Sequence, residues 1–267
     1  VARLSLTLFG PFQATLRGES VRFESDKVRA LLAFLVTESG TQHRREKLAG
    51  LLWPGGSEAS ARNNLRHTLS VLRRAIGDRD ADQPALDITR QTVQFCTGSD
   101  SWADVTAFTT LLATGAPAGT EATDRWEQAV DLYQGDFLHD FSLPDSPEFE
   151  ECALLSREQF RRQALEALQS LSAALEAGGQ TERALVFARR QTELDPWREE
   201  AHVQVMRLLA LSGRRSEALA QYQACSQLLA DGLGVEPQEQ TTSVYEQIKR
   251  GELAPAHRVA SIPPHNL

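Results

Sequence analysis

Sulfur is scarce in this chain. Its three cysteines, Cys96, Cys152 and Cys225, lie far apart, and neither a CxxC pair nor a Cys/His cluster occurs. That spacing excludes a disulfide framework and a zinc-ligand set, and it fits a reducing, cytoplasmic setting. Long apolar runs are missing too: nothing approaches the roughly 18–20 residues that span a bilayer. The opening Val1-Ala2-Arg3-Leu4-Ser5-Leu6-Thr7-Leu8 alternates like a strand, where a signal peptide would have a continuous apolar core. Catalytic signatures are absent as well. There is no GxxxxGK[ST] phosphate loop, HExxH, GxSxG or Rossmann glycine pattern, and Gly55-Gly56-Ser57 lacks the Lys and preceding strand that a phosphate cradle requires. The adjacent pairs Glu150-Glu151 and Glu199-Glu200 do not share a helix face, so they read as surface charge. An enzyme is not expected, nor a metal or cofactor; a hydrolase built on His139, Asp140 and Asp145 is the remote alternative.

What is present is ordinary globular composition, with 41% hydrophobic and 24% charged residues among 267. The charge is unevenly placed. The formal total is −8, but residues 1–95 hold 14 Lys and Arg against 10 Asp and Glu, a balance of +4, which leaves −12 for the remainder. A basic front and an acidic rear imply two domains with different partners.

In the front part, Leu4, Leu6 and Leu8 alternate with Ser5 and Thr7, and Phe12–Leu16 and Ser20–Phe23 continue as short strands. Ser25 or Asp26 then caps a helix with Val28, Leu31, Leu32, Leu35 and Val36 inward. A second helix is expected from about His43 to Trp53, ended by Pro54-Gly55-Gly56. The third, Ala61 to Gly77, carries Leu65, Leu69, Leu72 and Ile76 on one stripe. Asn63, Asn64, His67, Ser70, Val71 and Arg74 are expected on its open face, where amides, a hydroxyl and Arg could reach base edges. Leu86–Thr89 and Thr92–Phe95 then alternate as a hairpin around Arg90-Gln91, a pair that does not announce a turn. Three helices followed by a hairpin is the order of a winged helix-turn-helix, in which the third helix enters the major groove. A solvated Arg-rich face on an ordinary three-helix core is the competing reading.

These residues carry a resemblance. Leu8-Phe9-Gly10, Lys27-Val28-Arg29-Ala30-Leu31-Leu32, Arg45-Glu46-Lys47-Leu48, Leu52-Trp53-Pro54, and Ala61-Arg62-Asn63 through Leu72-Arg73-Arg74-Ala75-Ile76-Gly77 resemble the DNA-binding domain of SARP-type bacterial transcriptional regulators, which is similar to the OmpR-type winged helix. The resemblance implies base contacts from Asn64, His67, Thr68 and Val71, and backbone contacts from Lys27, Arg62, Arg66, Arg73, Arg74 and Arg90. Val71 would meet a thymine methyl. Two positions depart from the family: His43 stands where a capping Ser is usual, and the wing lacks the common Gly-Tyr pair.

From Asp104 to about Arg250 the pattern is helix after helix, broken at Gly115-Ala116-Pro117, Asp136, Pro144, Pro147, Gly178-Gly179, Asp195-Pro196, Gly213 and Gly232-Leu233-Gly234. Leu175, Gly179, Ala184 and Leu185 recur 34 residues later as Leu209, Gly213, Ala218 and Leu219, the tetratricopeptide period. A generic bundle with accidental spacing remains open. Trp126 and Trp197 read as core residues. Asp195-Pro196-Trp197-Arg198-Glu199-Glu200, Leu211-Ser212-Gly213-Arg214, Glu217–Tyr222 and Leu233-Gly234-Val235-Glu236-Pro237 look like the bacterial transcriptional activation domain that follows the winged helix in SARP regulators, entered at Trp102-Ala103-Asp104-Val105. The end, with Pro255 and Pro263-Pro264-His265-Asn266-Leu267, resembles the connector that precedes an ATPase domain in larger regulators.

The expected fold is therefore mainly α with a small β component: a winged helix over 1–97, an all-α tetratricopeptide-like domain over 98–250, and a linker or tail over 251–267. The resemblance implies an activator that binds double-stranded DNA at direct repeats, as a homodimer there, and contacts RNA polymerase. A helical-repeat adaptor whose winged helix contacts protein is the alternative.

Overall fold

The computed structural model describes residues 3–96, 100–113 and 120–253. The tail beyond 253, the break at 115–117 and the expected domain junction at 97/98 lie outside them. The chain packs as two compact units that divide at Ala164/Leu165.

In the first unit, strands β1 (Leu4–Thr7), β2 (Gln13–Leu16) and β3 (Glu19–Ser20) form an antiparallel meander. A later strand, β7 (Ser101–Ala103), adds to β1 in parallel, Leu4 opposite Ser101 and Leu6 opposite Ala103. The alternation of β1 is realised, with Leu4 and Leu6 wholly buried. Helix α4 (Asp104–Ala113) starts where β7 ends, and its first residue is tied back to the sheet. The buried Asp104 carboxylate accepts from Leu8 N at 2.8 Å and Phe9 N at 2.9 Å. Burial pushes this carboxyl above its ordinary pKa, against the opposing pull of those N–H groups. Phe9, Phe108, Tyr133 and Phe160 meet edge-on and tilted beneath the sheet.

The winged helix follows the expected order. Helices α1 (Asp26–Thr37), α2 (Arg45–Leu52) and α3 (Glu58–Ala75) precede a hairpin of β5 (Leu86–Ile88) and β6 (Thr92–Phe95). Two boundaries differ from the sequence reading. His43 and Arg44 form a short strand, β4, against β6, so α2 begins two residues later than expected. His43 is thus a buried strand residue, its ring edge-on to Phe34 at 5.0 Å, and Arg44 occupies the N-cap position without a side-chain cap bond. Helix α3 begins a turn earlier than expected because Ser57 is its N-cap, accepting from Ser60 N at 3.2 Å. The hairpin turn lacks Asn-Gly but has Thr89, whose Oγ1 accepts from Gln91 N at 3.1 Å and Thr92 N at 2.9 Å. That hydroxyl supplies the local bonding that a turn glycine pair would otherwise make unnecessary. Helices α5 (Thr120–Leu132) and the first half of α6 (Pro147–Ala177) complete the unit. Pro147 stands at the first position of α6, where its missing N–H costs nothing.

The second unit is helical: the end of α6, then α7 (Thr181–Leu194), α8 (Glu199–Leu211), α9 (Arg215–Leu233) and α10 (Glu239–Arg250). The 34-residue period reappears in its backbone bonds. Gln180 N donates to Leu175 O at 2.9 Å, as Arg214 N does to Leu209 O at 2.8 Å; Gly179 and Gly213 both take positive φ, +73° and +75°. Each is the left-handed residue of a Schellman-type helix stop, which glycine adopts without strain. Ala184 and Ala218 are wholly buried, as close helix packing requires. Three side chains depart from expectation: Trp126, Trp197 and Glu199, the last read from sequence as surface charge. Trp197 is 51% exposed, lying across Gly232, and Trp126 is only partly covered, so neither is a core residue. Glu199 is buried, because its carboxylate caps α10 from outside, accepting from Gln238 N at 2.8 Å and Thr241 Oγ1 at 2.5 Å.

Candidate nucleic-acid interface

Helix α3 divides cleanly by periodicity. Leu65, Leu69, Leu72 and Ile76 are buried, while Asn63, His67, Ser70 and Arg74, at the same i, i+4, i+7, i+11 spacing, are exposed on the opposite side. Arg62 and Arg66 are exposed on one flank of that stripe, and Asn64 is half-buried on the other.

Two of the four expected base readers do not face solvent. Thr68 is 6% and Val71 4% exposed. Helix α3 packs against both α1 and α2, so two adjoining sides of it are covered, a wider arc than the leucine stripe alone suggests. The expectation that Val71 lies on the open face is therefore corrected: it is a core residue, and Thr68 joins it. Asn63 and Ser70, already placed on the open face by the helical wheel, sit at the centre of the stripe instead.

The expected backbone cations separate in the same way. Lys27 is 15% exposed, and its Nζ donates to Leu52 O at 2.6 Å, Ser146 Oγ at 2.6 Å and Asp145 Oδ1 at 2.8 Å. It joins the start of α1, the end of α2 and the segment before α6. With three acceptors already in place it is a structural tie, which corrects the expectation of a phosphate contact. Arg73 is half-committed: its Nε is 3.2 Å from the Oδ2 of Asp78, a wholly buried carboxylate whose Oδ1 accepts from Ala85 N at 2.6 Å. This pair fixes the stretch after α3 that leads into the hairpin. Arg62 pairs with Glu58 at 2.5 Å, Arg74 with Glu24 at 2.5 Å, both on the surface where such bridges are weak and exchangeable. Arg66, and Arg90 at the hairpin tip, are exposed with no ion pair among the described residues.

Sequence reasoning missed one cation. Arg79, on the short 3-10 turn Asp78–Asp80, reaches back to α3 and donates from Nη2 to Ser70 Oγ at 2.8 Å. No periodicity marks a residue in an irregular turn, so only the fold brings it there.

The residues considered for hydrolysis do not assemble. Asp145 is held by Lys27, and His139 faces Asp140 at 3.7 Å, both exposed, with no third group orienting them among the described residues.

The winged helix is followed in sequence by a domain with a family signature. The model of the bacterial transcriptional activator domain matches residues 103–249, more than half of the chain. The chain belongs to that family. Placed behind a winged helix, the bacterial transcriptional activator domain gives the SARP-type architecture that the sequence resembles. Among its relatives, DnrI, a regulatory protein of Streptomyces peucetius, is 29% identical over 93% of this chain and 93% of its own length. The transcriptional regulatory protein EmbR of Mycobacterium tuberculosis is 26% identical over 97% of this chain, which spans 66% of that relative. AfsR of Streptomyces coelicolor is 27% identical over 97% of the chain, only 25% of its own length. A solved structure of Mycobacterium tuberculosis EmbR in complex with a low affinity phosphopeptide superposes with a TM-score of 0.74, covering 96% of this chain and 67% of that one at 26% identity. The relatives are named regulators, and no helix among the described residues is long and apolar enough to cross a membrane.

Proposed function

We propose that this chain is the DNA-reading part of a transcriptional activator. One observation carries the reading: an exposed stripe of Asn63, His67, Ser70 and Arg74, flanked by Arg62 and Arg66, on the third helix of a winged helix. Amides, imidazole and hydroxyl donate and accept at base edges, and guanidinium groups meet phosphates. Base readout then falls to Asn63, Asn64, His67 and Ser70, with backbone contacts from Arg62, Arg66, Arg74 and the hairpin-tip Arg90. Arg62 and Arg74 exchange their surface carboxylates for phosphate. The helical unit supports binding as a homodimer at direct repeats and the contact with RNA polymerase, and the whole works in the cytoplasm without a catalytic step. The family match and the regulators among the relatives support this reading over an adaptor.

Fluorescence anisotropy of the full chain with a mixed-sequence duplex, titrated at two salt concentrations, tests it. Binding should weaken as salt rises, with a slope of about 0.9 per phosphate neutralised. Absence of binding at low salt would rule the proposal out.

A further inference from the structure

Arg62, Arg66 and Ser70 follow one another at i, i+4, i+8, a single ridge of α3 that runs from the flank of the reading stripe into it. The first two positions bring their own guanidinium; the third carries a hydroxyl. Arg79 supplies the missing cation from outside the helix, its Nη2 donating to Ser70 Oγ at 2.8 Å. Arg79 is exposed and has no ion pair among the described residues, although three carboxylates lie close in sequence. Each of those is turned elsewhere: Asp78 is buried against Arg73 and the amides of Ala85 and Leu86, and Asp80 and Asp82 line a cleft with Arg3 and Arg17 at the N-terminal sheet. The short turn therefore sorts its charges, acids toward the sheet and the core, the guanidinium toward α3.

Resting on the DNA reading, we propose that Arg79, seated on Ser70, contacts a backbone phosphate as the third cation of the row Arg62, Arg66, Arg79. Its place on the flank leading to the hairpin suits the groove wall. One donor nitrogen is spent on Ser70, which restricts the rotation of a long side chain and leaves the rest of the fork for phosphate oxygens. The row would lie along one strand while the stripe Asn63, His67, Ser70 faces the bases.

The test uses the full chain and a duplex selected by the unaltered protein. Arg79→Ala should weaken binding to every duplex alike and make the plot of log affinity against log salt shallower by about 0.9, the signature of one lost phosphate contact. Arg79→Lys, which keeps the charge, should restore most of the slope. Thermal melting should be unchanged in both, since the side chain is exposed and its partner is a single hydroxyl. An unaltered slope and affinity in Arg79→Ala, or a loss confined to duplexes changed at one base pair, would overturn the proposal. Failure of the unaltered protein to bind DNA would instead overturn the reading on which it rests.

Discussion

Asn64 and His67 differ from Val71 in what a substitution should do, although all three occupy the same helix. Asn64→Ala removes a half-exposed amide and should relax preference at one base pair by roughly 1–3 kcal/mol, with little change in melting. Val71→Thr places a hydroxyl in a closed apolar site and should lower unfolding free energy by about 1–3 kcal/mol, with base preference unchanged. Selection sequencing beside chemical denaturation of the two variants separates the roles; a shift in base preference from Val71→Thr would return that residue to the interface. His43 gives a different signature. Burial lowers its pKa from the ordinary 6.5, Lys47 lowers it further, Glu38 opposes, and its Nε2 has no hydrogen-bond partner among the described residues. Because the unfolded chain takes up that proton more readily, stability is full above about pH 6.5 and falls as pH drops through that value. Denaturation at several pH values should show a steeper acid loss for the unaltered protein than for His43→Leu; parallel profiles would contradict this.

At the scale of elements, the tie between α3 and the hairpin rests on one buried carboxylate. Asp78 accepts from Arg73, Ala85 N and Leu86 N, so Asp78→Ala leaves two amides unpaired. A loss of about 1–3 kcal/mol for each buried donor left without a partner is expected, with faster hydrogen exchange across β5 and β6. Protection unchanged in that hairpin would show that the tie is not needed. The order of these elements could be read from sequence: the alternating β1, the leucine stripe of α3 and the 34-residue period are all repeats along the chain, and each is realised. What could not be read depends on partners distant in sequence. The strand β7 is three residues long and finds β1 almost a hundred residues back. Thr68 and Val71 are buried by where α1 and α2 lie, Lys27 is claimed by Leu52, Asp145 and Ser146, and Glu199 is drawn in by α10. Helical periodicity identifies one buried stripe, not how many neighbours cover the helix.

On the scale of the whole chain, a net charge of −8 conceals a front part at +4, and it is this asymmetry that allows an acidic protein to present a basic reading face. Of the cations expected or found beside the reading helix and the hairpin, Lys27 and Arg73 hold segments together, which leaves Arg62, Arg66, Arg74, Arg79 and Arg90 to meet phosphates. A modest salt slope is expected, set by about five contacts at about 0.9 each. Lys27→Met, by contrast, should act on stability first, leaving Leu52 O and Ser146 Oγ without their cation while the slope stays the same. Whether the open stripe of α3 reads base sequence is decided by selecting bound duplexes from a randomised pool with the full chain and with Asn63→Ala and His67→Ala. The unaltered protein should enrich a defined sequence, and each variant should lose preference at a separate position within it. An identical enriched sequence in all three proteins would contradict base reading by this stripe.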